Sequence, residues 1–441
     1  MHRDGVMTRK VYLHVGAPKS GTTYLQRVLE INRARLHDAG VRVVGDVHLD
    51  RIHAAMVVRQ DPRLDALPER ARTAWARLVK QIHSWRGDTA ILSYELFAGA
   101  SAEQVAAALA DLDGLEVHVV ITARDLGASV PSAWQERLKF ALTTPLEEWN
   151  PRPESAGVRA EWGWRTMDPA GVASRWGGTL PPGRVHVVTV PRDTGDPGDR
   201  ALLWHRFAAA CGLVVPDLVL DVDRANESLG VVAAELLRRV NEKVRSPIKG
   251  NREQARWLRD TLAHGILAQL GREPIGLTDR QFSEAERRSE QARSRIAEAG
   301  YDVRGDLADL TATRPDARLP GETTDAELLD TAVETIVRLL LLVRERTRER
   351  DAQATGVEEG SRIAAFGKGV VRRVTAQHVD RRHDELRARI AELEQQVAES
   401  RTLHLRVAEL TDVVTELLLP ASAANKAVTG RALTKYRKAT L

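Results

Sequence analysis

The sequence predicts an α/β fold, a parallel sheet flanked by helices, with a C-terminal helical and coiled-coil extension. Three observations carry this. Residues 11–15, 89–93, 115–122 and 185–190 are short apolar runs rich in Val and Ile. Amphipathic stretches of helical period separate them. Near the C-terminus Leu386, Ile390, Leu393 and Val397 are spaced by four and three, and Leu403, Val407, Leu410, Val414 and Leu417 repeat the spacing in a shifted phase.

The first strand has apolar Val11, Leu13 and Val15 at alternate positions, with Tyr12 adding β propensity. Gly16, Pro18 and Gly21 break it, and a helix is expected from Thr22 to about residue 36. Residues 41–44, VRVV, form a short strand between Gly40 and Gly45. Residues 62–85, with Trp75 and Trp85, read as helical, and Gly87-Asp88 as a turn. The strand 89–93 leads into Tyr94 and Glu95. Helices are expected over 102–112, 125–142 and 202–211, with strands at 115–122 and 185–190 between them. Ligands on such sheets bind beyond the carboxyl ends of the strands. Lys19, Glu95 and Arg124 each follow a strand, so one crevice could collect all three.

Between residues 143 and 182 the pattern dissolves. Six prolines punctuate it, and Trp149, Trp162, Trp164 and Trp176 lie within it. A long irregular loop with so many tryptophans suits stacking on a sugar or aromatic acceptor, or a tryptophan-anchored flap without a ligand. Residues 229–313 read as helical with breaks near Pro247, Gly271 and Gly300, and 325–348 as a further helix. Residues 351–362 read as a linker and 363–374 as a basic amphipathic stretch.

The 441 residues allow two or three domains and an ample core. Hydrophobic content of 43% with 29% charge fits a globular protein. A formal net charge of +4 does not make the whole chain a nucleic-acid binder. The single cysteine, Cys211, excludes an intrachain disulfide and a cysteine-based zinc site, and core packing is its expected role. No signal peptide is visible before the first strand, and the apolar runs are too short to cross a bilayer, so a cytoplasmic protein is expected. His14, His118 and His186 sit inside expected strands and read as core histidines. His48 and His53 lack a helical metal spacing, and no metal is expected.

Strand, Gly-rich loop and helix over residues 11–24 make a phosphate cradle, in which loop amides and the positive helix end converge on one anion. The loop is nearly that of nucleotide triphosphatases, which requires a lysine directly after the second glycine. Here Thr22 follows Gly21, and the lysine sits inside the loop at Lys19. Residues 18–23, PKSGTT, resemble the phosphosulfate loop of sulfotransferases that use 3′-phosphoadenosine 5′-phosphosulfate (PAPS). Further on, Arg124 at a strand end and Ser132 eight residues later resemble the second motif of that family, which holds the 3′-phosphate. An arginine fork suits a phosphate, and a serine two turns along a helix can reach the same group. The bland alternative pairs Arg124 with Asp125 or Glu136.

The chain is similar to the PAPS-dependent sulfotransferase family over roughly residues 8–310, and only the two short motifs are specific. The resemblance implies a P-loop-like sulfotransferase fold and PAPS as co-substrate. It implies that Lys19 contacts the sulfuryl group and bridging oxygen, that Ser20, Gly21, Thr22 and Thr23 hold the 5′-phosphate, and that Tyr24 stacks on adenine. Arg124 and Ser132 would take the 3′-phosphate. The C-terminal Arg-Lys-Gly segment of cytosolic members is absent, and either residues 249–252 or Arg224 with Asn226 and Ser228 could replace it. In-line sulfuryl transfer needs a base for the acceptor hydroxyl, and Glu95 stands where carbohydrate-modifying members place a catalytic glutamate.

The expected organisation is a sulfotransferase domain over 1–313, a helical extension over 314–350, linker and basic stretch over 351–377, coiled coil over 378–420 and basic tail over 421–441. The expected activity is sulfuryl transfer from PAPS to a hydroxyl of a carbohydrate, lipid or other small molecule. The alternatives are a kinase-like phosphotransferase, disfavoured by the missing Gly-Lys-Ser/Thr, or a non-catalytic scaffold assembled through the coil. The coil predicts a homo-oligomer. The tail, with Lys426, Arg431, Lys435, Arg437 and Lys438, would either be solvated or contact an anionic membrane peripherally.

Overall fold

The computed structural model describes residues 10–155, 162–192, 198–222, 228–244 and 246–367, with side chains to 350. The chain divides into two compact units, Met1–Leu339 and Leu340–Leu441. The first holds a six-stranded sheet: β1 Lys10–Gly16, β2 Val41–Val43, β3 Thr89–Ser93, β4 Glu116–Ala123, β5 Val185–Thr189 and β6 Asp302–Arg304. Their order is β2-β3-β1-β4-β5-β6, and every pairing is parallel. The expected α/β architecture is therefore present, a parallel sheet flanked by helices.

The period-two pattern of β1 explains how both faces are filled. Val11, Leu13 and Val15 point to one face, where they pack with Leu92, Val119, Ile121 and Val187 against Trp75, Leu78, Phe97, Trp176 and Ile296. Tyr12 points to the other, with Ile91, Val120 and Val188, against Leu25, Val28 and Leu29 of the helix Thr22–Ile31 and Trp204 and Phe207 of Gly198–Ala210. A third cluster around Trp134, Trp149, Trp164 and Leu237 lies under the helices Leu126–Leu138 and Val231–Val244. Cys211 is buried, and burial raises its thiol well above the usual range, which fits inert packing.

Several local expectations change. Residues 143–182 are not irregular throughout: helices Trp164–Met167 and Pro169–Gly177 form within them. Asp168 caps the second, accepting from the Ala170 amide, with Pro169 at its first position. Trp149, Trp164 and Trp176 are core side chains rather than an acceptor platform, and Trp176 Nε1 donates to the Phe97 carbonyl at 3.1 Å. Residues 62–85 break into three short helical pieces at Pro68 and Thr73. The helix His48–Val58 had no counterpart in the expectations. Within 229–313, Asp302–Arg304 is a strand, completing the sheet beside β5. The helix Asp325–Gly367 takes in residues 351–362, expected as a linker. The coiled coil at 378–420, residues 368–377 and the tail lie outside the described residues.

Candidate active site

The carboxyl ends of β1, β3 and β4 open into a cleft of about 850 Å³. Its walls include Lys19, Gly21, Thr22, Thr23 and Tyr24 after β1, Tyr94 and Glu95 after β3, and Arg124, Ser132 and Glu136 after β4. The crevice expected from three strand ends is thus one space.

The loop after β1 owes its shape to backbone that few residues tolerate. Gly21 has φ 79°, and a Cβ there would lie 2.4 Å from Leu203 Cδ2. Lys19 also sits in the left-handed region, with φ 66°. A non-glycine residue held there is uncommon and is found where a loop is shaped for a ligand. The twist separates neighbours. Lys19 faces the cleft, whereas Ser20 turns into the sheet and is only 1% exposed. The Ser20 hydroxyl donates to the Ala17 carbonyl and lies against the Thr122 hydroxyl. Ser20 was expected among the 5′-phosphate contacts, but its side chain is spent below the loop.

Beneath the loop the polar groups are mutually satisfied. Thr122 donates to the Gly16 carbonyl at 3.1 Å. Its oxygen therefore accepts from His14 Nε2, 3.2 Å away, and His14 Nδ1 accepts from the Ser93 hydroxyl at 2.7 Å. Burial lowers the His14 pKa to about 3, so the ring is neutral. His118 and His186 are likewise buried and bonded to each other at 2.8 Å, with Glu116 and Asp302 at the two ends. All three are core histidines, as expected.

Above the loop the groups are ionic. Lys19 Nζ donates to Glu136 Oε1 at 2.9 Å, and Lys139 Nζ donates to the same oxygen at 2.7 Å. Ser132 and Glu136 are one helical turn apart on the helix Leu126–Leu138, which brings both to the cleft. Arg124 lines the cleft and donates to the Lys19 carbonyl at 3.4 Å. Of the two carboxylates weighed as its partner, Asp125 lies within reach of its charge, and each makes other bonds as well. Asp125 caps the helix, accepting from the Gly127 amide at 2.7 Å and the Thr313 amide at 3.0 Å, and Glu136 holds the two lysines.

Glu95 stands at the start of a short 3₁₀ turn, Glu95–Gly99. Its Oε2 accepts from Gln26 Nε2 at 2.8 Å, and among the described residues no further hydrogen bond engages Oε1. Tyr24 lines the cleft with its hydroxyl buried, and burial raises its pKa.

Other lining residues carried no sequence signal. His48 lies edge-on to Tyr94, with ring centroids 5.7 Å apart, and burial followed by nearby Arg51 lowers its pKa. Arg51 donates to His48 Nδ1 at 3.5 Å, which leaves the proton of the neutral ring on Nε2 as a donor. Arg259, Asp260 and His264 come from a π-helical stretch, Ala255–His264, a conformation often found at functional sites. Burial lowers the His264 pKa to about 4. Arg59, Arg63, Arg27 and Arg200 add further cations. Of the two proposed replacements for the missing C-terminal motif, Ser228 lines the cleft, residues 249–252 are exposed outside it, and Arg224 and Asn226 lie outside the described residues.

A family described as "Domain of unknown function (DUF6752)" matches residues 386–440. No curated protein matches the chain. Two solved structures are similar. A sulfotransferase from Alicyclobacillus acidocaldarius is 16% identical, with a TM-score of 0.32, over 49% of this chain and 87% of its own. The sulfotransferase domain from the Curacin biosynthetic pathway is 12% identical, with a TM-score of 0.27, over 59% of this chain and 99% of its own. No described helix is long and apolar enough to cross a membrane.

Proposed function

We propose that the protein transfers a sulfuryl group from PAPS to a hydroxyl of a small acceptor. One observation carries this reading: Lys19, Gly21 to Tyr24, Arg124 and Ser132 come from two strand ends and line one cleft with a carboxylate, Glu95. The residues fit the nucleotide. The left-handed Lys19 and Gly21 shape an amide-lined loop at a helix start for the 5′-phosphate. Arg124 and Ser132 supply a fork and a hydroxyl for a second phosphate.

PAPS brings an activated sulfuryl group on a phosphate leaving group. Lys19 places a positive charge where negative charge grows on that leaving group. Glu95 takes the proton of the acceptor hydroxyl on Oε1, while Gln26 holds Oε2. The apolar wall of Ile52, Met56, Leu96 and Trp162 would exclude water from the acceptor end. Carbohydrate, lipid and other hydroxyl compounds all remain within this acceptor class. Self-association through residues 378–420, and peripheral contact of the tail with an anionic membrane, belong to the same proposal. A screen with label on the PAPS sulfur tests it. Label should pass to at least one hydroxyl acceptor, and a panel spanning sugars, phenols and hydroxylated lipids that stays unlabelled, with no nucleotide binding, would overturn it.

A further inference from the structure

An anion-binding cleft is a costly place for a carboxylate, yet Glu136 lies in its floor, 13% exposed, between two ammonium groups. Lys19 Nζ and Lys139 Nζ reach the same oxygen, Oε1, at 2.9 and 2.7 Å. Lys139 is 2% exposed, and Glu136 is its ion-pair partner among the described residues. Lys139 and Glu136 thus form a fixed neutral pair, three residues apart on one helix end. Lys19 docks on that pair from a different strand end, 117 residues away.

We propose that Glu136 is a positioning residue for Lys19: it parks the ammonium against the floor of the cleft and competes with the incoming anion for it. Lys139 keeps Glu136 from following Lys19 into the cleft. The Lys19 and Lys139 charges hold the Glu136 carboxyl down at about 2 against the effect of burial, so it remains an anion at neutral pH and a poor proton acceptor. That separates its role from the one given to Glu95. Besides Arg124, the titratable groups lining the cleft near Glu136 include His264, neutral at neutral pH, and Arg259, whose guanidinium is paired with Asp260 at 2.7 Å. Neither is hydrogen-bonded to Glu136 among the described residues. The cluster of Lys19, Glu136 and Lys139 carries one net positive charge, and the Glu136 carboxylate is the part of it that opposes an anion.

The inference rests on the sulfuryl-transfer reading only for the identity of the anion. Calorimetry at fixed ionic strength on the full chain tests it, with 3′-phosphoadenosine 5′-phosphate and with inorganic pyrophosphate as separate probes. Glu136→Gln should bind both anions about tenfold more tightly, because Lys19 no longer has to leave a carboxylate. With PAPS as substrate the same variant should show a lower KM and a lower kcat, since the freed lysine is less well oriented. A merely structural role would weaken binding and raise KM. The double variant Glu136→Gln, Lys139→Met removes both members of the pair without a buried unpaired charge, and it too should bind more tightly than wild type. Equal or weaker anion binding by a folded variant overturns the proposal, as does unfolding of both variants, which would make the Glu136–Lys139 pair a requirement of the fold. Wild-type binding of pyrophosphate but not of the nucleotide would sink the sulfuryl reading and leave the Glu136 result standing.

Discussion

Two polar networks meet at the loop after β1, one on each side. Below it, Ser20, Thr122, His14 and Ser93 are neutral, sealed and bonded to one another. Above it, Lys19, Glu136 and Arg124 are charged and line a cleft, with buried Lys139 behind Glu136. Lys19 and Ser20 are neighbours in the chain yet belong to opposite networks, because Lys19 is held left-handed. Polar residues in a loop motif are therefore not equivalent. The lower network gives the loop its shape, and the upper one presents charge to the cleft.

The sharpest contrast concerns turnover. Glu95→Gln keeps the side-chain shape and removes the proton acceptor, so turnover should fall by about 10²–10⁴ while nucleotide affinity stays near wild type. Near-normal turnover would move the base elsewhere, and Asp260 is the next cleft carboxylate to test.

Binding should divide the two neighbours. Lys19→Ala loses a charge-assisted contact worth roughly 1.5–3 kcal/mol, a tenfold or greater loss in nucleotide affinity, and turnover should fall with it. Ser20→Ala should leave affinity within about twofold, yet lower unfolding stability by about 1–3 kcal/mol, because the buried Ala17 carbonyl loses its donor. If Ser20→Ala instead weakens nucleotide binding as Lys19→Ala does, the division between the two sides fails.

The smallest effect is in pH dependence. His14 is neutral when folded, with its pKa lowered to about 3, and takes a proton below about 6.5 when unfolded. Its contribution is full above pH 6.5 and is lost as pH falls toward 3, at about 1.4 kcal/mol per pH unit. Glu136, lowered to about 2, acts in a lower window, its contribution full above 4.5 and lost toward 2. Denaturation at pH 7, 6 and 5 should therefore show a slope that His14→Gln reduces and Glu136→Gln leaves intact, the remainder coming from other lowered histidines such as His48 and His264. An unchanged slope in His14→Gln would mean that the sealed network takes up protons in the folded state.

The upper network was partly legible in the sequence. Lys19, Glu95 and Arg124 could be placed at one crevice because each follows an apolar strand, whereas Ser132 was singled out by the family resemblance alone. Glu136 and Lys139 show an ordinary helical spacing, but their link to Lys19 exists only once β1 and β4 lie side by side. The inward turn of Ser20 depends on one backbone angle that no residue pattern declares. Arg259, Asp260 and His264 lie on a helical stretch with no motif, and only its packing brings them to the cleft. The strand β6 is three residues long and has no room for an alternating pattern, so its pairing with β5 defines it. The tryptophans of 143–182 misled because an aromatic residue beside prolines reads alike whether it stacks on a ligand or fills a core, and burial decided for the core at Trp149, Trp164 and Trp176.

The central claim is that the upper side of the loop binds a nucleotide with phosphates at two separate positions. Calorimetry comparing 3′-phosphoadenosine 5′-phosphate with ADP tests it most directly, with Arg124→Ala alongside. The wild type should bind the 3′-phosphorylated nucleotide at least tenfold more tightly than ADP, and Arg124→Ala should remove most of that preference, as expected for a charge-assisted contact of roughly 1.5–3 kcal/mol. Equal affinity for the two nucleotides in the wild type would contradict the claim.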